Sequence, residues 1–152
     1  MENSKKTITL CASASFYRKV IELESELKKL GFKVKIPKTA GKMKKSGNFD
    51  VSVYKTWYNN AKDYSKKTSL IKGHFKKVIE SDAILVINLE KNGTPGYIGG
   101  NGLMEMTIAF HYKKPIFVYD AVFEGSNILE EIYGLKPIFI NKDLSLIAKK
   151  LH

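Results

Sequence analysis

The stretch Ala83-Ile84-Leu85-Val86-Ile87-Asn88-Leu89 decides the fold class of this chain. Its apolar residues follow one another without the polar alternation of a half-buried strand, and this pattern predicts a strand that is buried on both faces. Strands of that kind belong to parallel sheets that carry helices on both sides. A glycine-rich loop, an apolar helix from Leu103 to Tyr112 and another strand from Ile116 to Tyr119 are expected after it. We expect the rest of the chain to be organised around this unit, residues 83–120.

Segments on both sides of this unit predict further strands and helices. The expected strands are Thr7 to Ala12, Phe32 to Ile36 and Pro137 to Ile140, and the expected helices are Phe16 to Leu30, Glu124 to Tyr133 and Leu144 to Leu151. We therefore predict one α/β domain over residues 1–152, with a five-stranded parallel sheet in the flavodoxin-like order 2-1-3-4-5 and helices on both faces. In this order the binding crevice lies at the carboxyl ends of strands 1 and 3.

The middle of the chain, residues 38–78, carries weaker signals. Lysine, glycine, serine and methionine dominate residues 38–48, which predicts a mobile loop. Asp50 is suited to cap the segment that follows. In that segment, apolar and aromatic residues recur at helical spacing as far as Val78, which predicts one long helix that Gly73 breaks or bends.

The chain of 152 residues has a formal net charge of +11, and the positive charge is concentrated in its middle. Residues 28–77 hold 15 lysines against two acidic residues, Asp50 and Asp63. A basic face of this kind attracts phosphate on a nucleotide, a nucleic acid or a lipid surface. The alternative is an ordinary lysine-rich surface in contact with solvent.

No apolar run is long enough to cross a membrane, and no signal peptide is recognisable at the N-terminus, so we expect a soluble, cytoplasmic protein. The single cysteine, Cys11, lies within the first predicted strand and excludes an internal disulfide framework. We interpret it as a small buried apolar residue. No cofactor is expected, and we assign no metal ligands.

Two polar segments meet at the predicted crevice. Ser13 and Ser15 follow the first strand, while Gly99-Gly100-Asn101-Gly102 stands directly before the apolar helix. Backbone N–H groups of such a glycine run, together with a helix N-terminus, bind anions. The run is similar to the dinucleotide fingerprint G-x-G-x-x-G, but Glu105 occupies the third glycine position, where a side chain prevents close helix–strand packing. We therefore exclude a nicotinamide site.

Glu105 is the main candidate catalytic residue. Apolar residues surround it in the sequence, and a carboxylate without a partner is costly to bury. We place it in the first turn of the helix, where N–H groups and the helix dipole favour its ionised form. A desolvated carboxylate anion is suited to nucleophilic attack on a sugar carbon. The alternative is that Glu105 caps its own helix through the backbone of Asn101 and Gly102.

These residues together resemble those of the nucleoside 2-deoxyribosyltransferase superfamily, which includes the deoxynucleoside 5′-monophosphate N-glycosidases. The resemblance is carried by Ser81-Asp82 before the apolar strand, the glycine-rich loop, the motif Gly102-Leu103-Met104-Glu105, and Lys113-Lys114-Pro115 after the helix. It covers residues 7–12 and 74–120 of the chain.

The resemblance implies an enzyme that works by double displacement. Glu105 would attack C1′ of a nucleoside or nucleoside 5′-monophosphate, expel the base and form a glycosyl-enzyme, which water or a second base then resolves. The positions that match the family's binding residues are Ser13, Ser15, Gly100 and Asn101. We also assign substrate-binding roles to Gly99 and Gly102 of the glycine run and to Asp120 at the end of the fourth strand. Asp120 contacts a ribose in this interpretation; otherwise it begins a turn. The resemblance also implies a homodimer.

Three positions depart from the family pattern, and all three concern the partners of the glutamate. Thr9 stands where the family usually has a tyrosine, whose space Phe16 or Tyr17 is placed to reach. His74 stands in place of an aspartate, and Gly99 in place of an aspartate or serine. We interpret His74 as a catalytic residue that helps to protonate the departing base. The alternative is an ordinary histidine on the surface of a helix.

Two other functions are consistent with the sequence. If the altered partner residues abolish turnover, the chain is a catalytically inactive nucleotide-binding or regulatory protein. Alternatively, the lysine-rich segment 38–77 binds nucleic acid, although no recognised nucleic-acid module is present.

Overall fold

Five parallel strands form one sheet in the order β2-β1-β3-β4-β5 in the computed structural model, which describes residues 4–151. The strands are β1, Thr7–Ala12; β2, Lys33–Lys35; β3, Ala83–Ile87; β4, Ile116–Val118; and β5, Ile138–Phe139. Strand β3 pairs with β1 along its whole length, from Ala83 beside Ile8 to Ile87 beside Ala12, and with β4 on its other side. The predicted α/β class, number of strands and strand order are confirmed.

Within residues 4–151 there are seven helices, of which six lie between strands and the seventh follows β5. They are α1, Tyr17–Lys29; α2, Lys38–Ser46; α3, Val51–Tyr54; α4, Tyr64–Ile79; α5, Gly100–His111; α6, Leu129–Gly134; and α7, Ser145–Lys150. Short 3-10 turns at Ala14–Phe16 and Ala61–Asp63 precede α1 and α4. Among the described residues, no helix is both long enough and apolar enough to cross a membrane.

The continuous apolar sequence of β3 is explained by its position between two hydrophobic cores. Ala83, Leu85 and Ile87 belong to the core that includes α1 and α7, whereas Ile84 and Val86 belong to the core that includes α4, α5 and α6. All five side chains are almost inaccessible to solvent. Helices therefore cover both faces of the sheet, and each residue of β3 contributes to one of the two cores.

The prediction of a mobile loop over residues 38–48 is wrong, because most of that segment forms α2. Ala40 and Met43 lie three residues apart on one side of this helix, which packs against α1, and both side chains are fully buried. Gly47 ends the helix in a left-handed conformation, with a φ of +74°. Tertiary packing of these two side chains stabilises a helix that the lysine-rich composition does not indicate.

The prediction of one long helix as far as Val78 is also wrong. The segment contains two separate helices, the short α3 and the longer α4, with irregular turns and a 3-10 turn between them. Gly73, which was expected to break or bend the helix, lies inside α4 without interrupting it. Trp57 lies in the break and is only 5% exposed, so its burial depends on the path of the chain and not on helical spacing.

Side-chain hydrogen bonds cap the start of α3 and the start of the 3-10 turn that precedes α4. The Asp50 carboxylate accepts a hydrogen bond from the N–H group of Ser52 (3.0 Å), as its predicted capping role requires. The Asn60 side-chain oxygen accepts one from the N–H group of Lys62 (3.2 Å). Each bond satisfies a backbone donor at the start of a helical segment, so the chain begins a new segment at both places.

Candidate active site

The glycine-rich loop between β3 and α5 is attached to the carboxyl end of the sheet by Asn88. The Asn88 amide group donates hydrogen bonds to the carbonyl oxygens of Asp120 (2.8 Å) and Gly96 (3.3 Å), and its oxygen accepts one from the N–H group of Asp120 (2.8 Å). Asn88 is fully buried, so these bonds satisfy polar atoms that would otherwise destabilise the core. The loop is therefore fixed relative to the ends of β3 and β4.

Gly96 is the loop position at which a side chain cannot be accommodated. Its φ is +58°, and an added Cβ atom would lie 1.9 Å from the carbonyl oxygen of Ala121. Glycine permits both this left-handed conformation and the close approach of the two backbone segments. The position of the loop at the carboxyl end of the sheet depends on that approach.

The first turn of α5 offers backbone N–H groups to a ligand. An α-helix leaves its first N–H groups without partners inside the helix, and the N-cap residue, Gly99, has no side chain to cap them. Gly99, Gly100, Asn101 and Gly102 all line the same cavity. The anion-binding end of the helix that the sequence predicts therefore faces open space.

A cavity of about 450 Å³ lies at the carboxyl ends of β1 and β3, with walls formed by α2, α3, α4 and the glycine-rich loop. Its lysines are Lys38, Lys55, Lys67, Lys77 and Lys91. Among the described residues that line it, Glu105 is the only acid. Four of these lysines belong to the basic segment 28–77, so part of that segment faces the cavity.

The lysines create a positive potential inside the cavity. Burial lowers the pKa of both Lys55 and Lys67, and the charges of Lys67 and Lys91 lower the pKa of Lys55 further. The ammonium group of Lys67 lies 5.5 Å from the centre of the Trp57 ring, a distance typical of a cation–π contact. A bound anion would relieve the mutual repulsion of these charges, so the cavity favours an anionic ligand.

Glu105 lies in the second turn of α5, because the helix begins at Gly100, three residues before the predicted start. Its expected place in the first turn is therefore wrong. The capping alternative is wrong as well, since no side chain caps α5 and the buried Oε2 atom of Glu105 has no hydrogen-bond partner within residues 4–151. The Glu105 side chain is 12% exposed and lines the cavity.

Burial raises the pKa of Glu105 from its ordinary value of 4.5 to about 7. The nearby Cys11 thiol and the charge of Lys67 lower the pKa of Glu105, but their effects are weaker than that of burial. The expectation that the helix dipole keeps this carboxylate ionised is therefore wrong, because the dipole acts mainly within the first turn and desolvation dominates beyond it. Near pH 7 the group is about half ionised.

His74 and Cys11 lie beside the Glu105 carboxyl group. His74 Nε2 is 3.5 Å from Glu105 Oε2 and 3.5 Å from Cys11 Sγ. The alternative of a surface histidine is wrong, because His74 is only 8% exposed. Cys11 is fully buried as predicted, but it contacts polar groups and is not simply an apolar core residue.

The protonation states of these neighbours limit what they can do. Burial, together with the charge of Lys77, lowers the pKa of His74 to about 4, so the ring is neutral near pH 7. A neutral imidazole is not the imidazolium acid expected to protonate a departing base, although it still donates or accepts a hydrogen bond. Burial raises the pKa of Cys11, and the charge of Glu105 adds to this effect, so the thiol keeps its proton.

Tyr17 is an aromatic residue of α1 that lines the cavity. Burial raises its pKa, and the charges of Glu105 and Cys11 raise it further, so the phenol keeps its proton. Phe16 packs instead in the core, with its ring edge-on to Tyr97 at 6.5 Å between ring centres. Of the two residues considered for the place of the family tyrosine, Tyr17 is thus the one near the carboxyl group.

Three other predicted site residues lie in different surroundings. Ser13 lines the cavity, and its hydroxyl oxygen accepts a hydrogen bond from the ammonium group of Lys91 (3.0 Å). Ser15 is exposed in the 3-10 turn before α1 and does not line the cavity. Asp120 does not line it either, and its carboxylate lies 3.5 Å from the ammonium group of Lys142.

Sequence analysis did not identify Cys11 as part of the site. Among the residues that the structure describes, Cys11, His74 and Glu105 form the one group whose ligand atoms lie close enough to share a metal ion, all within 4.8 Å of one another. The available signal was the position of Cys11 near the carboxyl end of β1, directly before the crevice. Its proximity to α4 and α5 has no signature in the local sequence.

The two remaining departures from the family pattern have structural explanations. Thr9 is fully buried, and its hydroxyl group donates a hydrogen bond to the carbonyl oxygen of Lys77 (3.1 Å). Gly99 lies against the Tyr97 ring, where an added Cβ atom would be 2.9 Å from the phenol oxygen.

Comparison of the chain with protein-family models and with curated protein sequences gives no match.

Proposed function

We propose that this chain breaks the N-glycosidic bond of a nucleoside or nucleoside 5′-monophosphate, with Glu105 as nucleophile, and passes the sugar to water or to another base. We also propose that it belongs to the nucleoside 2-deoxyribosyltransferase superfamily, which its sequence resembles. The observation that carries the proposal is the Glu105 carboxyl group, which is largely buried, lines the cavity and has an oxygen without a hydrogen-bond partner within residues 4–151. A carboxylate that is withdrawn from water and free to approach a ligand is the group required to attack a sugar carbon.

The charges and aromatic rings of the cavity support a nucleotide as the ligand. The N-terminus of α5, together with Lys55, Lys67 and Lys91, is suited to bind a phosphate group. Trp57 and Tyr58 provide aromatic surface for a base. The cavity volume of about 450 Å³ lies within the range of roughly 300–1,000 Å³ that is typical of small-molecule sites.

The proposed reaction consists of two displacements at C1′. In the first, an oxygen of ionised Glu105 forms a bond to C1′ while the bond from C1′ to the base nitrogen breaks, and the base leaves with the bonding electron pair and takes up a proton from solvent. In the second, water or another base attacks C1′ and loses a proton to solvent, while the bond from C1′ to Glu105 breaks and releases the carboxylate. The two inversions retain the configuration at C1′.

The neighbouring groups assist in their observed protonation states. Tyr17, which keeps its proton, is suited to donate a hydrogen bond to the reacting oxygens, and neutral His74 is suited to orient the carboxyl group. Because only the ionised carboxylate attacks, kcat/KM is expected to rise with pH and to reach a plateau above about pH 7.

The direct test is an assay for release of free base. The purified protein is incubated with a panel of ribo- and deoxyribonucleosides and their 5′-monophosphates, and the products are separated by chromatography. We expect base release from at least one substrate, and its loss in Glu105→Gln. The matched control is Glu130→Gln, an exposed glutamate of α6, which should retain full activity. Release that persists in Glu105→Gln would contradict the proposed nucleophile.

A second candidate function is nucleotide binding without turnover. It is favoured by the neutral state of His74 and by the single carboxyl group among the described residues of the cavity, because glycosidases normally use a second carboxyl group as acid and base. Calorimetric binding of a nucleoside monophosphate, without release of base from any substrate in the panel, would support this function against the enzyme.

We also propose a homodimer, as the family resemblance implies. The mass of one chain is 17.2 kDa, so light scattering after size-exclusion chromatography should give about twice that value. A monomer at all accessible concentrations would contradict this assembly.

A further inference from the structure

Cys11, His74 and Glu105 form a buried cluster, and the proposed glycosidic chemistry does not use its thiol. The three residues belong to β1, α4 and α5. Cys11 is fully buried, whereas His74 and Glu105 also line the cavity. A thiol, an imidazole and a carboxyl group therefore converge at a point that is accessible from the cavity.

The distances within this cluster match those between the ligands of one tetrahedral zinc ion. Zinc bonds of about 2.3 Å to sulfur, about 2.05 Å to nitrogen and about 2.1 Å to oxygen place sulfur and nitrogen about 3.6 Å apart, and nitrogen and oxygen about 3.4 Å apart. Both corresponding separations, Cys11 Sγ to His74 Nε2 and His74 Nε2 to Glu105 Oε2, are 3.5 Å. All three ligand atoms lie within 4.8 Å of one another, so the remaining separation, from Cys11 Sγ to a Glu105 carboxylate oxygen, has at most that value.

Hydrogen bonding does not account for the convergence of these groups. Within residues 4–151, neither Glu105 Oε2 nor His74 Nδ1 has a hydrogen-bond partner by geometry, and the only hydrogen bond within the cluster is the weak contact of 3.5 Å between Cys11 Sγ and His74 Nε2. Buried polar atoms are nearly always partnered, so these atoms require an explanation. A metal cation would accept electron pairs from the sulfur, the ring nitrogen and the carboxylate oxygen together.

We propose that Cys11, His74 and Glu105 bind a zinc ion whose fourth coordination position opens to the cavity, and that the Cys11 thiol and the Glu105 carboxyl group release their protons to solvent as the metal binds. Thiolate and imidazole ligands favour zinc over magnesium and calcium, which bind through oxygen. Three protein ligands with one open position are typical of zinc sites that hold an exchangeable water or ligand. The cavity supplies both access for the metal ion and space for that fourth ligand.

Zinc in this site would inhibit the proposed reaction, because it occupies the carboxylate that must attack C1′. This consequence rests on the proposed function, whereas the binding of zinc does not. The chain would then exist in a metal-free form that is competent for base release and a zinc-bound form that is not.

The test uses Co²⁺ as a spectroscopic substitute for zinc. The full chain is freed of metal with a chelator, dialysed and titrated with Co²⁺ in the absence of oxygen. We expect one Co²⁺ per chain, a thiolate-to-cobalt charge-transfer band and the intense visible bands of tetrahedral coordination, all abolished by one equivalent of Zn²⁺. A titration without the charge-transfer band, or with the weak visible spectrum of octahedral cobalt, would overturn the proposal.

Single variants then locate the site. Cys11→Ser should lose the charge-transfer band, and Glu105→Gln should bind zinc about tenfold or more weakly. The matched control is His111→Gln, since this histidine is exposed at the far end of α5 and should not affect binding. Cobalt binding that keeps its affinity in Cys11→Ser, or that is lost in His111→Gln, would place the metal elsewhere, because Cys11 is the single cysteine of the chain. If a variant fails to fold, the titration of the unmodified chain still decides the question.

Base-release assays with and without chelator separate this proposal from the proposed function. Base release that zinc inhibits supports both. One bound Co²⁺ per chain without base release under any condition contradicts the proposed function and leaves the metal site in place. Base release that is insensitive to zinc, in a chain that gives no cobalt spectrum, contradicts the metal site alone.

Discussion

Replacement of Glu105 by glutamine should change the stability of the protein in a pH-dependent manner. Burial raises the pKa of Glu105 to about 7 from an ordinary value of 4.5. Between these two values the folded protein holds a proton that the unfolded chain has lost, so wild-type stability falls as pH rises from about 4.5 to about 7. Glutamine has nearly the same shape but does not ionise, so Glu105→Gln should lack this loss of stability.

The magnitude follows from the difference between the folded and unfolded pKa values. Each pH unit of difference corresponds to about 1.36 kcal/mol, so complete ionisation of Glu105 destabilises the wild type by about 3 kcal/mol. Between pH 5 and pH 8 the effect amounts to about 2.5 kcal/mol. His74 acts in the opposite sense: its pKa is lowered from 6.5 to about 4, so it adds stability as pH rises through that range. Both proteins contain His74, so its contribution cancels in their difference.

Urea unfolding of the wild type and of Glu105→Gln at pH 5 and pH 8, with a chelator present, measures this effect. The stability of the variant relative to the wild type should increase by about 2.5 kcal/mol, a displacement of the unfolding midpoint on the order of 1 M urea. Glu130→Gln is the matched control, and its effect should not depend on pH over this range. A constant effect of Glu105→Gln at both pH values would refute the reasoning, because it would mean that the carboxyl group has an ordinary pKa.

Three other substitutions test the packing, the loop and the cavity charge. Met43→Ala should lower the free energy of unfolding by about 2–5 kcal/mol because it leaves a cavity under α2, while exposed Lys42→Ala should have little effect; similar effects in urea unfolding would contradict the packing of α2. Gly96→Ala should lower the melting temperature more than Gly93→Ala does. Both residues have a positive φ, but only at Gly96 would the new Cβ atom overlap a backbone carbonyl. A larger decrease for Gly93→Ala would contradict the observed conformation of the loop. Lys67→Gln should lower the affinity for a nucleoside 5′-monophosphate, measured by calorimetry, by roughly tenfold or more, and the affinity for the parent nucleoside much less. An equal loss of affinity for both ligands would exclude a contact between Lys67 and the phosphate.

Strand β3 illustrates how much of the fold can be predicted from the sequence. Its five apolar residues are alternately buried in two cores, and no other arrangement accounts for a strand without a polar face. Gly31, placed after the first predicted helix, has the φ of +95° that a helix-terminating glycine adopts. These features depend on residues that are close in sequence, so they can be predicted without the tertiary structure.

The helices of the basic segment could not be predicted in this way. In α2, the two buried side chains, Ala40 and Met43, are stabilised by α1, which lies on the opposite side of β2 in the sequence. Asp50 caps the start of α3, and Asn60 caps the 3-10 turn that precedes α4. These polar hydrogen bonds begin new helical segments in spite of a continuous helical pattern of apolar residues. Composition and periodicity are properties of each segment alone, whereas contacts with other parts of the chain decide whether the segment forms a loop, one helix or two helices.

By itself, the sequence determined the α/β class, the strand order and the position of Glu105 behind a glycine-rich loop, because apolar runs and turn residues act over short stretches of chain. Only the tertiary structure decided which groups surround that carboxyl group. Cys11 and His74 are 63 positions apart in the chain, yet the packing of α4 and α5 against β1 brings both beside Glu105. The same packing excludes water, and this desolvation raises the pKa of Glu105 and lowers the pKa of His74. Both pKa shifts depend on the folded surroundings of these residues, so no local sequence pattern indicates them.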